Sequence, residues 1–336
     1  MAINVVVGGQ YGDEGKGKII SYLALEDKPR VIARGGGGPN AGHTVEYKGK
    51  KYKIRLVPSG FVYKKAKLVI GPGVLIDPEV LIEEIKNFEL EERCFVDRMA
   101  TIIESKHKEE DANSEIGKKI GTTKTGIGPA TAHRALRDAK LAYQEEKLKK
   151  YLTDCWKEVN STNDLLVEGS QGFMLSNLHG TYPFCTAKDV SAAAICSEIG
   201  LGPKKLDNII MVIKAYTTRV GQGPLLNEIN PQEAKKLGMD EYGTVTGRQR
   251  RVNPNLIWEE LKKAAVINSA NCIALTKIDI KYPSAKRIRK FESLPDEAKK
   301  FVFEIEKRLE VPVGLIGTGP EALDIIDRRE KIGIKK

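Results

Sequence analysis

The chain has 336 residues, 41% hydrophobic and 30% charged, enough apolar material for a large core and too much for a disordered chain. It holds no run of about eighteen apolar residues and no basic leader before its first strand, so neither a membrane span nor a secretory signal is expected, and the location read from this is cytoplasmic. The net charge of +10 suits an anionic ligand, and aromatic residues at only 6% leave little to stack bases beside the basic stretches, which favours nucleotides over nucleic acid.

The apolar run at 3–7 reads as a buried strand, and Gly8-Gly9-Gln10-Tyr11-Gly12-Asp13-Glu14-Gly15-Lys16-Gly17-Lys18 follows it as a glycine-rich turn. Glycines free backbone amides to cradle phosphate, and a helix over 16–25 adds its positive end. The loop departs from the P-loop pattern in two places. Gln10 stands where the first glycine belongs, and Gly17 stands where a hydroxyl would hold Mg²⁺. Asp13 lies inside the loop instead, where a carboxylate can bind Mg²⁺ or take a proton from a nucleophile.

A second strand over 30–34 runs into four glycines and then Asn40-Ala41-Gly42-His43-Thr44. His43 is expected to be exposed in a turn, where an imidazole suits proton transfer near neutral pH. Residues 51–57 alternate lysine or arginine with Tyr52, Ile54 and Leu56, as a half-buried strand does, and 67–70 is another strand. Pro78 opens a helix running through Ile85. Residues 121–129, GTTKTGIGP, offer hydroxyls and glycine amides to one phosphate, with Arg134 and Arg137 just beyond. Leu141, Tyr143, Leu148, Leu152 and Trp156 then recur at near-helical spacing and predict one amphipathic helix over 139–158.

Short apolar runs at 165–167 and 209–213 read as buried parallel strands. The first leads to Gly169-Ser170-Gln171-Gly172, whose glutamine amide can read a base edge, and 179–186 is a further loop ending in Thr186. The second leads to Thr217-Thr218-Arg219. Residues 243–251, GTVTGRQRR, cluster arginine forks suited to a carboxylate or phosphate. Pro254 starts a helix to about residue 270, and 272–275 is a strand ending at Thr276-Lys277-Ile278-Asp279. A carboxylate there can accept guanine N1–H and the exocyclic amine while a lysine stem lies over the base. A last amphipathic helix covers 294–310. Strands and helices alternate throughout, which predicts an α/β fold: a mainly parallel central sheet flanked by helices, P-loop NTPase-like, in one large domain over 1–336. The five cysteines are scattered, without a CxxC pair, and argue against structural zinc and a disulfide framework.

In this order, QYGDEGKGK, GPNAGHT, GTTKTGIGPA, EGSQG, HGTYPFCT, AYTTRVGQGP, GTVTGRQRR, TKID and GTGP resemble the adenylosuccinate synthetases from residue 3 to about 325. The resemblance implies GTP-dependent ligation of IMP and L-aspartate through 6-phosphoryl-IMP, with release of GDP and phosphate: the first committed step from IMP to AMP. It implies Asp13 as general base and Mg²⁺ ligand, Gly42 as a second Mg²⁺ ligand through its carbonyl, Lys16 as phosphoryl stabiliser and His43 as acid. It assigns GTP to Gly12, Asp13, Glu14, Gly15, Lys16, Gly17, Gly42, His43, Thr44, Arg250, Lys277 and Asp279, with Gly317, Thr318 and Gly319 behind the base. IMP falls to Asp13, Asn40, Ala41, Gly42, His43, Thr123, Gln171, Thr186 and Arg219, plus Arg137 reaching across the interface of a homodimer. Aspartate falls to Thr244, Val245, Thr246, Gly247 and Arg248. The chain is shorter than most members, and Lys124-Thr125 and Val245 depart from the usual residues. A regulatory GTP-binding switch is the alternative. It accounts for the phosphate loop and TKID, but not for His43, the further anion loops or the 248–251 arginines.

Overall fold

The computed structural model describes residues 2–243 and 247–336. Its frame is a ten-stranded sheet. Across the sheet the strands run Ile325–Asp327, Val313–Gly317, Cys272–Thr276, Asn208–Lys214, Ile3–Gly8, Leu165–Glu168, Val31–Arg34, Lys67–Ile70, Cys94–Asp97 and Leu152–Thr153. Every pairing is parallel except that of the Ile325–Asp327 edge. The first strand is fully buried. Side chains alternate across a strand, so Ile3, Val5 and Val7 enter one hydrophobic core while Val6 enters the other. The first core lies under the helices Cys155–Asn160, Ala192–Ile199, Trp258–Asn268 and Asp296–Leu309; the second lies under Lys16–Asp27 and Pro78–Asn87.

Ile3–Gly8 sits between strands that continue outward in opposite directions, a topological switch point. In such sheets the crevice beyond the carboxyl ends of the strands collects ligands. Here six of those ends feed the segments after Gly8, Arg34, Glu168, Lys214, Thr276 and Gly317, so the glycine-rich and TKID motifs converge from distant parts of the chain.

Three expected elements differ. The helix over 139–158 is broken into 3₁₀ turns at Ala142–Gln144 and Glu146–Tyr151, the strand Leu152–Thr153 and the helix Cys155–Asn160. Pairing of Leu152 with Val96 extends the sheet edge, and this tertiary contact overrides the helical spacing. The strand over 51–57 ends at Ile54. Beyond it the chain turns, and the amides of Leu56 and Val57 each donate to the buried Glu84 carboxylate at 2.9 Å. The helix expected from Pro254 begins at Trp258. By contrast, the helix beginning at Pro78 starts where read, with the Asp77 carboxylate capping Glu79 and Val80.

Candidate active site

The loop after the first strand is organised from inside. Gly12, Asp13 and Gly15 take positive φ, and Gly15 caps the helix Lys16–Asp27. Glu14 is wholly buried and turns inward. It accepts the Gln10 amide at 3.1 Å, the Gly12 amide at 2.9 Å and Lys16 Nζ at 2.7 Å. Its side chain therefore holds the loop from behind and does not line the cavity, which leaves only the backbone of Glu14 for a nucleotide. Lys16 also donates to the Gln171 carbonyl, joining this loop to the one after Leu165–Glu168.

His43 is not exposed in a turn. It opens the strand His43–Tyr47, which pairs with Lys50–Ile54, and it is 7% exposed. Its Nδ1 meets Glu168 and lies 3.0 Å from Ser59 Oγ. Ser59 donates to both Glu168 oxygens, through Oγ and its amide, each at 2.6 Å. Burial works to raise the Glu168 carboxyl, but His43, Arg34 and Ser59 outweigh it and hold it down at about 2. Burial pushes the His43 imidazole below its ordinary value. An ionised Glu168 against Nδ1 favours a proton on that nitrogen and leaves Nε2 as the working nitrogen. The sequence had marked EGSQG without a role for Glu168; the signal was a carboxylate at the end of a buried strand.

At the base end, Asp13 Oδ2 pairs with Arg250 Nη2 at 3.0 Å, and Arg250 Nη1 pairs with Glu241. Glu241 also takes Lys214 Nζ at 3.0 Å, Lys277 Nζ at 3.3 Å and the Tyr216 hydroxyl at 2.5 Å. Lys277 caps the helix Ile278–Lys281 with positive φ, which sets Asp279 on the cavity wall. Burial raises the Asp279 carboxyl, and Lys18, Lys277 and Lys286 oppose the rise. Lys18 donates to the Gly319 carbonyl and, at 2.8 Å, to that of Asp324. Gly319 lines the cavity, whereas Gly317 and Thr318 lie buried behind it. Nothing in the sequence reading had singled out Glu241, Lys214 or Tyr216.

At the far end, Asn40, Ala41, Gly42, Thr123, Gln171, Thr186 and Arg219 all line the cavity. Thr123 and Thr125 hydroxyls are 2.8 Å apart. Gln171 Oε1 is buried and, among the described residues, has no hydrogen-bond partner, as befits an acceptor kept for a ligand. Arg219 is buried over the Tyr11 ring and donates to the Pro224 and Phe184 carbonyls and to Thr181 Oγ1. Arg248 reaches the Gly121 and Thr122 carbonyls at 2.8 and 3.0 Å, tying its loop to the threonine loop. Gly247 stands beside it; Thr244, Val245 and Thr246 lie outside the described residues. Arg137 is exposed at the C-terminal end of Ile127–Leu136 and does not line the cavity, so it cannot be grouped with this chain's own site.

One cavity of about 1350 Å³ joins these ends, larger than the usual ligand pocket and roomy enough for more than one substrate. Among the described residues no three His, Cys, Asp or Glu side chains could share a metal. The donor set fits Mg²⁺ nonetheless, since that ion commonly takes one or two protein oxygens and fills its shell with phosphate and water. Asp13 uses Oδ2 for Arg250, and Gly42 lines the same wall.

A P-loop-like α/β protein, with three glycine- or threonine-rich loops and the 276–279 strand end around one cavity, is the class that fold and site define. The family model described as adenylosuccinate synthetase matches residues 5–144 and 138–283. The chain belongs to this family, whose members are ligases that use GTP to join IMP and aspartate through a carbon–nitrogen bond. It is 50% identical to the adenylosuccinate synthetase of Pyrococcus sp. (strain ST700), over 98% of this chain and 99% of that one. It is 49% identical to that of Archaeoglobus fulgidus, over 99% and 100%. The fully ligated adenylosuccinate synthetase of Plasmodium falciparum superposes with a TM-score of 0.90 at 28% identity, covering 97% of this chain and 100% of the other. A succinoaminodeoxyadenylate synthetase of cyanophage S-2L, bound to dGMP and dATP, gives 0.81 at 26% identity, over 99% and 98%.

Proposed function

We propose that the cavity runs the ligation in two displacements. Asp13 accepts the N1 proton of IMP, which raises the electron density on O6. That oxygen attacks the γ-phosphorus of GTP, the bond to GDP breaks, and 6-phosphoryl-IMP results. The aspartate amine then attacks C6, phosphate leaves with the C6–O bond's electrons, and the amine sheds a proton. Lys16 and the Gly12–Gly17 amides spread the charge of the transferring phosphoryl group. His43 presents Nε2; the arriving phosphate charge raises its proton affinity, so it can carry a proton to the phosphoryl oxygen. Mg²⁺, when bound, neutralises phosphate charge, and Asp13 with the Gly42 carbonyl would hold it.

Lys277 and Asp279 read guanine. Asn40, Thr123, Gln171, Thr186 and Arg219 hold IMP, and Gly247 with Arg248 takes the aspartate carboxylates along with residues 244–246. Arg137 completes the IMP site of the second subunit in a homodimer. Its exposure, next to a Leu136 that is 70% exposed, supports that reading. Five free thiols suit a cytoplasmic setting.

The observation that carries this reading is the meeting of three anion-handling subsites on one cavity; a regulatory switch needs only the first. The test is GTP turnover with each acceptor withheld. Turnover requiring both IMP and aspartate is expected; slow hydrolysis indifferent to them would favour the switch.

A further inference from the structure

Glu241 occupies a place that the two displacements do not explain. It stands at the base of the segment carrying the aspartate-side arginine, where its carbonyl accepts the Arg250 amide at 2.8 Å. Its carboxylate is 11% exposed and gathers groups from three other stretches of chain. Oε2 takes Lys214 Nζ at 3.0 Å and Arg250 Nη1; Oε1 takes the Tyr216 hydroxyl at 2.5 Å and Lys277 Nζ at 3.3 Å. Lys214 is itself 1% exposed, so without this anion a lysine would be left charged in the interior. Arg250 spends its other nitrogen on Asp13. One carboxylate thus lies between the lysine beside the base-reading Asp279 and the arginine beside the proposed general base.

We propose that Glu241 is the positioning residue that links the base end of the GTP site to its phosphoryl-transfer end. It fixes Lys277 against the guanine and, through Arg250, fixes the Asp13 carboxylate. Three cations converge here on two carboxylates, which leaves the cluster positive by one and ready for a triphosphate. The charges holding Glu241 ionised outweigh the burial that would raise it, in the order Lys214, Lys277, Arg250. Lys277 and Arg250 come from different loops, so the shared carboxylate is their physical connection. The inference rests on GTP occupying this end of the cavity, as proposed above.

The experiment is a double-mutant cycle on steady-state kinetics of the full-length protein, with GTP, IMP and aspartate each varied. Glu241→Gln keeps an acceptor for Tyr216 and removes the charge. It should raise the KM for GTP about tenfold and lower kcat about tenfold, with the KM for IMP moving less than about twofold. In a Lys277→Met background, the same change should add less than about twofold to the KM for GTP, because its partner there is already gone. A merely structural role would give the same penalty in both backgrounds, and that additivity overturns the proposal, as does an unchanged KM for GTP. Should Glu241→Gln fail to fold, the Lys277→Met and Arg250→Met pair reads the same link. Their effects on kcat should couple by about threefold or more through the carboxylate they share, and strict additivity overturns the idea. A wild-type protein without GTP turnover dependent on IMP and aspartate would instead fail the reading of function itself.

Discussion

The two ends of the cavity are held by different physics. At the nucleotide end the working groups rest on buried carboxylates: Glu14 behind Lys16, Glu168 behind His43 and Glu241 behind Arg250 and Lys277. At the acceptor end they rest on backbone and hydroxyls: Arg248 on two carbonyls, Thr123 on Thr125, with Arg137 out in solvent. Burying an ion pair is costly, and what it returns is fixed geometry aimed where charge develops. An arginine on loop carbonyls can change partners at little cost. On the proposed function, phosphoryl transfer is the step that such buried pairs preorganise, while the acceptor end rests on contacts that are cheaper to exchange.

The largest effect should come from the nucleotide end. Asp13→Ala removes both the proposed base and the proposed metal ligand from a loop that Glu14 continues to hold, so the fold should survive. Turnover at saturating substrates should fall about a hundredfold or more. Retention of more than about a tenth of the activity, on the same scale of general-base effects, would take the role away from Asp13.

The same contrast explains what the sequence made legible. Strands such as Ile3–Gly8 and Lys67–Ile70 could be read because a fully buried parallel strand is a short apolar run wherever it lies. The glycine-rich loops could be read because phosphate needs free amides, and the amides need glycine. Carboxylates that act from behind were illegible. Nothing local says that the Glu14 side chain will turn inward, or that Lys214 and Tyr216 will close around Glu241. His43 was misplaced for the same reason. Its neighbours Ser59 and Glu168 lie 16 and 125 positions away along the chain. The 139–158 helix failed because Leu152 finds a strand partner that periodicity cannot foresee.

Base choice tests the rigidity of the nucleotide end from a second side. In the proposed function Asp279 accepts two hydrogen bonds from guanine; adenine offers it none at N1 and lacks the 2-amino group. Asp279→Asn should cost about a hundredfold in GTP efficiency relative to xanthosine triphosphate, whose extra carbonyl meets the new amide donor. Competition assays with the two nucleotides read this ratio directly. An unmoved ratio would mean that the base is recognised elsewhere.

Acid stability probes the anion behind His43. The folded Glu168 carboxyl sits at about 2, below its ordinary 4.5. A carboxyl depressed in the folded state lends stability that is complete above its unfolded value and lost as pH falls through the folded one. Here that window runs from about pH 4.5 down to 2. Unfolding free energies from urea titrations across this range should fall more steeply for wild type than for Glu168→Gln, by about 3 kcal/mol in all. Parallel curves would show that Glu168 is not held ionised.

The smallest effect belongs to the acceptor end, and it decides whether that end is completed by a second chain. Arg137 lies outside its own chain's cavity, so an IMP contact has to come across a two-fold interface. Losing one charge-assisted contact to phosphate should raise the KM for IMP about tenfold and leave kcat nearly unchanged. Mixing Arg137→Leu with Asp13→Ala then separates the two possibilities. In a hybrid dimer with shared sites, the site on the Arg137→Leu chain keeps its own Asp13 and borrows an intact Arg137. Assayed at IMP well below KM, where both parents are weak, the mixture should exceed the average of the parents severalfold, on the order of the contact's own worth. If subunit exchange is verified and the mixture merely averages its parents, Arg137 acts within its own chain or not at all. The acceptor end would then be as self-contained as the nucleotide end, and the contrast between them would reduce to buried carboxylates against loop carbonyls.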